Sequence, residues 1–154
     1  MPFQGQLRAI QLTPSKGAAL VSVPEVEAIP GQGLAGDHRA KGKPTEPMNQ
    51  VTLIETESLI ATARDYDLVI EPLLTRRNLL TEGVPLNHLV GVEFHVGAVV
   101  LRGIELCEPC GYLEGCTFPG IKKALLHRGG LRAEIVRGGT IRIGDTIQGW
   151  EDRD

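Results

Sequence analysis

Glycine and proline break this chain into short apolar runs, and that punctuation limits the fold more than any other feature. With 19 glycines and 10 prolines in 154 residues, most runs have room for a strand and few for a helix of several turns. Gln6 to Leu12 carries Leu7, Ile10 and Leu12 ahead of the turn Pro14-Ser15-Lys16-Gly17 and reads as a first strand; Ala19 to Val26 reads as a second. Gln50 to Ile54, Gly91 to Gly97, Ala98 to Ile104, Leu131 to Val136 and Thr140 to Ile147 are further β-prone runs, the last interrupted by Gly144-Asp145. Helical spacing follows Glu55, with Thr56 at the helix entrance and Leu59, Ile60 and Ala63 on its apolar side. It recurs as a turn at Leu86 to Leu89 and as a short segment from Phe118 to Arg128 that Gly129-Gly130 ends. Roughly seven or eight short strands with two or three small helices predict a mainly β fold, a closed or nearly closed β-barrel rather than a layered α/β sheet.

The length suits one domain over residues 1–154, and no linker composition divides it. A formal charge of -3 gives no overall electrostatic reason to bind nucleic acid or an anionic membrane, although it leaves room for local basic patches. No apolar stretch is long enough to span a bilayer, and Met1 to Arg8 lacks a signal-peptide core, so the expected location is cytoplasmic with neither nucleic acid nor membrane as partner. Gly33-Leu34-Ala35-Gly36 after Gly31 matches a G-x-G-x-x-G pattern, but Asp37-His38-Arg39 continues with no apolar helical stripe. The segment therefore reads as a glycine-shaped loop, not a dinucleotide turn. Residues 38–49 are polar and irregular, a flap or solvated loop, and Glu151 to Asp154 form a polar tail.

All three cysteines fall between Gly103 and Cys116. An odd, clustered set is a poor disulfide framework, and such thiols serve metal, sulfur or nucleophilic chemistry. Cys107 ends the apolar run from Ala98 and should be packed, whereas Cys110, between Pro109 and Gly111, should be exposed and reactive. Cys107, Cys110, Cys116 and His127 also make a sufficient tetrahedral zinc set, which defines an alternative structural zinc module. His95 alternates with Phe94 and Val96, which turns it outward rather than toward a metal. Arg76 and Arg77 are adjacent between apolar residues, so one should face solvent and the other inward. An inward guanidinium calls for an anion, either a structural carboxylate or a ligand phosphate.

Gly33 to Arg39, Gln50 to Glu55, Arg76-Arg77-Asn78 through Gly83, Leu89 to Gly97, Cys107-Glu108-Pro109-Cys110, and Arg128 to Ala133 with Gly144-Asp145 follow one another in a characteristic order and spacing. Taken together, these stretches resemble the MOSC domain, the module related to the C-terminal part of molybdenum cofactor sulfurases and also found in mitochondrial amidoxime-reducing proteins and small bacterial proteins. The resemblance implies a mostly β, barrel-like fold and a molybdenum cofactor. It makes Cys110 the residue that carries sulfur as a persulfide, for transfer to that cofactor or to a metal–sulfur cluster, or that ligates molybdenum. It assigns Arg76 and Asn78 to the pterin, with Arg39 and Thr56 as weaker matches, and leaves Arg77 as the milder substitution. The implied activity is sulfur transfer or molybdenum-dependent reduction of N-hydroxylated compounds. Implied partners are a molybdoenzyme, a sulfur donor protein or an electron donor. The chain lacks the aminotransferase-like domain of the sulfurases, so no lysine-bound pyridoxal phosphate is expected.

Overall fold

The computed structural model describes residues 2–149, so the expected polar tail lies outside the described residues. In chain order the strands are β1 (Gln4–Leu12), β2 (Val21–Val23), β3 (Glu25–Ile29), β4 (Gly33–Leu34), β5 (Val51–Glu55), β6 (Leu79–Glu82), β7 (Glu93–Val96), β8 (Val99–Leu106), β9 (Leu131–Arg137), β10 (Gly139–Arg142) and β11 (Thr146–Gly149). Three helices interrupt them, α1 (Thr56–Tyr66), α2 (Gly111–Cys116) and α3 (Ile121–Ala124), with short 3-10 turns at Pro47–Asn49, Pro72–Thr75 and Leu86–His88.

Strands β11, β7, β8, β9, β5, β6 and β1 pair in that order, and β1 pairs back onto β11, which closes the barrel. Closure leaves no open edge among these seven, the solution that short turn-rich strands favour. β5 and β6 run parallel, which requires a long crossover, and α1 lies within it. β2 adds to β1, while β10, β3 and β4 form a separate small sheet.

Period-two alternation sorts the side chains of β5 and β6 between two cores. Leu53 and Leu79 join the barrel interior with Leu7, Phe94, Leu101 and Leu131. Their neighbours Ile54 and Leu80 point the other way, into a second cluster with Leu113, Ile121 and Leu125 from the α2 and α3 region. Burying each such side chain stabilises the fold by roughly 1.5–3 kcal/mol relative to exposure. The second cluster thereby seats the cysteine-bearing segment on the outside of the barrel.

Two expected strands turn out to be pairs. Ala19 to Val26 divides at Pro24, which has no N–H for a ladder, so β2 pairs with β1 and β3 with β10 and β4. Thr140 to Ile147 divides at Gly144, whose φ of 95° turns the chain from the small sheet into the barrel. There the Gly144 N–H donates to the Leu7 carbonyl at 2.8 Å, and the Leu7 N–H donates to the Asp145 carbonyl at 2.9 Å. The segment from Gly111 is helical through Cys116, and the helix expected up to Arg128 is regular only over α3. Gly36 leads into turns rather than a helix, as its sequence context requires.

Candidate functional site

A cleft of about 210 Å³ opens where the ends of β1, β5, β8 and β9 meet the turns after Leu12 and Gly36 and the segment around Arg76. Five cationic side chains line it, Lys16, Arg39, Arg76, Arg77 and Arg132, against a single carboxylate, Asp37. In a chain of net charge -3 this is a local reversal of sign that suits a multiply charged anion.

The carboxylate is committed to the architecture. Asp37 Oδ1 accepts from the Thr13 N–H at 2.8 Å and from Asn78 Nδ2 at 3.4 Å, and Oδ2 accepts from the Arg39 N–H at 3.3 Å. Asn78 continues the network: Nδ2 also donates to the Gln11 carbonyl at 3.0 Å, while Oδ1 accepts from the Thr52 N–H at 3.1 Å and the Thr52 hydroxyl at 3.2 Å. All four hydrogen-bonding positions of its amide are thus used within the protein. Asn78 lines the cleft as the rivet between β1, β5 and the Asp37 turn. Beside Asp37, burial lowers the pKa of His38 and the nearby Arg39, Lys41 and Arg76 push the same way, against the raising effect of Asp37. The imidazole is therefore mostly neutral at pH 7.

Of the two adjacent arginines, the inward one is Arg77, 7% exposed, and among the described residues it meets no carboxylate. Its Nε donates to the Gly129 carbonyl at 2.8 Å, one Nη to the Cys107 carbonyl at 3.0 Å and the other to the Thr75 carbonyl at 3.3 Å. Backbone carbonyls take the place of the carboxylate or phosphate expected from its position, and they make Arg77 a strut under the cysteine segment. Burial lowers its pKa, partly offset by the Cys107 and Cys110 thiols and reinforced by Arg132. A guanidinium remains charged regardless. Arg76 adopts φ 57°, which separates its side chain from that of Arg77, and its guanidinium lies 5.9 Å from the centre of the Tyr112 ring. Among the described residues it has no carboxylate or carbonyl partner.

Cys107 extends the β8–β9 ladder, its N–H donating to the Gly130 carbonyl at 2.7 Å, and its thiol is buried. Cys110, immediately before α2, is exposed and lines the cleft. The sharp contact between these segments depends on Gly129 and Gly130. A Cβ at Gly130, which has φ 113°, would collide with the Leu53 carbonyl, and one at Gly129 with the Cys107 carbonyl. Cys116 lies at the far end of α2 and lines a different cavity, and His127 is held by Glu108, whose carboxylate takes the His127 N–H and Nδ1 at 2.7 Å each. The four ligands of the zinc alternative are therefore dispersed, and no group of three His, Cys, Asp or Glu side chains converges on a metal position among the described residues. His95 pairs opposite Val100 and Gln148 in the barrel wall, flanked by the buried Phe94 and Val96.

Arg39, Arg76, Asn78 and Cys110 are thus brought to one cleft. Thr56 is not among its lining residues; it occupies the first turn of α1, beyond the opposite end of β5 from Thr52, and its hydroxyl is buried without a hydrogen bond among the described residues. Lys16, Asp37, Tyr112 and Arg132 escaped the sequence reading. Arg132 carries a usable signal, since it alternates with Leu131 and Ala133 on β9, whereas Lys16 lies in an ordinary polar turn.

No described helix is long and apolar enough to cross a membrane. Three solved structures share the architecture: the YuaD protein of Bacillus subtilis, with TM-score 0.79, 14% identity, and 98% of this chain and 99% of that one covered; YiiM from Geobacillus stearothermophilus, with 0.71, 17%, and 96% and 75% covered; and YiiM from Escherichia coli, with 0.69, 17%, and 97% and 71% covered. At such identities the likeness concerns the fold. No curated protein matches the sequence. The MOSC domain profile, however, matches residues 37–148, a span that begins at the Asp37 turn, contains the three cysteines and ends within β11, and the chain belongs to the MOSC domain family, which is linked to molybdenum cofactor function.

Proposed function

We propose that the cleft binds the molybdenum–pterin cofactor and that Cys110 is the residue acting on it, as a sulfur carrier. The observation supporting this reading is the pairing of one exposed thiol with a cationic, carboxylate-poor wall. The donor set fits the group: a thiolate is a soft ligand suited to molybdenum or sulfane sulfur, and guanidinium groups suit a phosphate ester. Arg76 and Arg39 would hold the phosphate, with Lys16 and Arg132 adding charge. Asn78 acts through Asp37 and Thr52 by keeping the wall in place. When bound, the cofactor supplies a redox-active metal that accepts sulfur. The chain's own step is attack of the Cys110 thiolate on the outer sulfur of a donor persulfide. A new S–S bond forms on Cys110, the donor's S–S bond breaks, and the donor leaves as a thiolate, so no external oxidant is consumed. The exposure of Cys110 supports access by a donor protein, whereas Cys107, which also lines the cleft, is buried.

A second reading, molybdenum-dependent reduction of N-hydroxylated compounds with Cys110 as the metal ligand, draws support from a further cavity beside the cleft that shares Gly17 and Arg76 with it. Native mass spectrometry of protein made in a pterin-producing host tests both. A mass increment of one sulfur on Cys110 supports carriage, and a retained pterin lost in Cys110→Ser supports ligation. Neither species, in wild type supplied with a persulfide donor and with cofactor, would exclude both.

A further inference from the structure

Next to the cationic cleft lies a second cavity of about 490 Å³ with a different chemical character. Leu20, Leu73 and Leu74 form its apolar walls, Cys116 lies at the end of α2, and Gly17 and Arg76 are shared with the cleft. Leu73 and Leu74 are 40% and 39% exposed, on the 3-10 turn directly before Arg76. Arg76, at the junction, is the only charged side chain of this second cavity, and its guanidinium is held over the Tyr112 ring without an acidic partner among the described residues.

We infer that this cavity is a subsite for the apolar portion of a small amphipathic anion, whose charged group Arg76 holds at the junction while its apolar body packs against Leu20, Leu73 and Leu74. Two features commit the occupant to this class. The cavity shares Gly17 and Arg76 with the cleft, so a ligand here lies beside the Cys110 side, and among the described residues Arg76 is its one charged lining side chain, a match for one anionic group. Apolar body and charge must therefore belong to one molecule. The inference rests on the cleft being an anion site, as proposed above, and adds a substrate class to it.

An alkylphosphonate series tests it, with methyl-, propyl- and pentylphosphonate titrated calorimetrically against the full chain and inorganic phosphate as the reference. Affinity should rise with each methylene, by up to about fourfold at full burial. Leu73→Asn/Leu74→Asn, at half-exposed positions, should flatten this rise while leaving inorganic phosphate binding unchanged. Arg76→Gln should weaken every member alike. In Cys110→Ser protein, pentylphosphonate should slow iodoacetamide labelling of Cys116, and methylphosphonate should not. Binding of phosphate and all three phosphonates with equal affinity would overturn the subsite while sparing the anion site. Failure of phosphate and phosphonates alike to bind would overturn both.

Discussion

Replacing Arg77 by methionine tests the claim that the cysteine segment is held by a buried guanidinium bonded only to carbonyls. Methionine keeps most of the stem's volume and removes three donors, to Gly129 at 2.8 Å, Cys107 at 3.0 Å and Thr75 at 3.3 Å. Hydrogen bonds to a charged group are worth roughly 1.5–3 kcal/mol each, so the two shorter ones alone represent on the order of 3–6 kcal/mol. Relief of the guanidinium's own desolvation returns part of this, leaving a net loss of about 3 kcal/mol. For a domain of this size that lowers Tm by roughly 6–12 °C. Arg76→Met, at a half-exposed residue with only an aromatic contact, should cost at most about 1 kcal/mol. Urea denaturation of both variants gives the comparison, with unchanged m-values showing that a shifted midpoint reflects stability alone. An Arg77→Met loss within the range of Arg76→Met would refute the strut.

Cys110→Ser should leave the urea midpoint unchanged, whereas Cys107→Ser should cost about 1–3 kcal/mol by burying a hydroxyl; faster iodoacetamide labelling at Cys107 than at Cys110 would reverse the assignment. Gly130→Ala should yield little folded protein by circular dichroism, because φ 113° and the collision with the Leu53 carbonyl act together, while Gly120→Ala, at φ 99° with open space around it, should remain folded at reduced stability. Glu55 has its pKa raised to about 7, chiefly by burial and then by Glu57, with a hydrogen bond from the Leu86 backbone opposing. The folded state thus holds this proton where the unfolded state, near 4.5, has released it, so the group's contribution to stability is present below about 4.5 and is lost as pH rises through about 7. Glu55→Gln should gain stability relative to wild type across that window, and parallel pH profiles of Tm for the two proteins would contradict it.

Local chemistry in the sequence was enough to specify the strand-rich fold and the contrast between the two close thiols. Leu53 and Ile54, or Leu79 and Leu80, sort to opposite faces because the strand's side-chain period is two wherever the strand goes. Cys107 is buried because it continues an apolar strand, and Cys110 is exposed because Pro109 and Gly111 end that strand's pattern. The cleft itself was only partly legible. Arg39, Arg76 and Asn78 arrive there, but the partners that define what they do come from distant segments. Asn78 is saturated by Gln11, Asp37 and Thr52, and Arg77 finds carbonyls at Cys107 and Gly129. Nothing local in Arg76-Arg77 says which guanidinium turns inward; the φ of 57° at Arg76 and the pairing of β9 with β8 and β5 decide it. Likewise Thr140 to Ile147 reads as one β-prone run interrupted by Gly144-Asp145, yet its two parts serve different sheets, because strand partners are chosen by long-range hydrogen bonding and shared burial rather than by propensity.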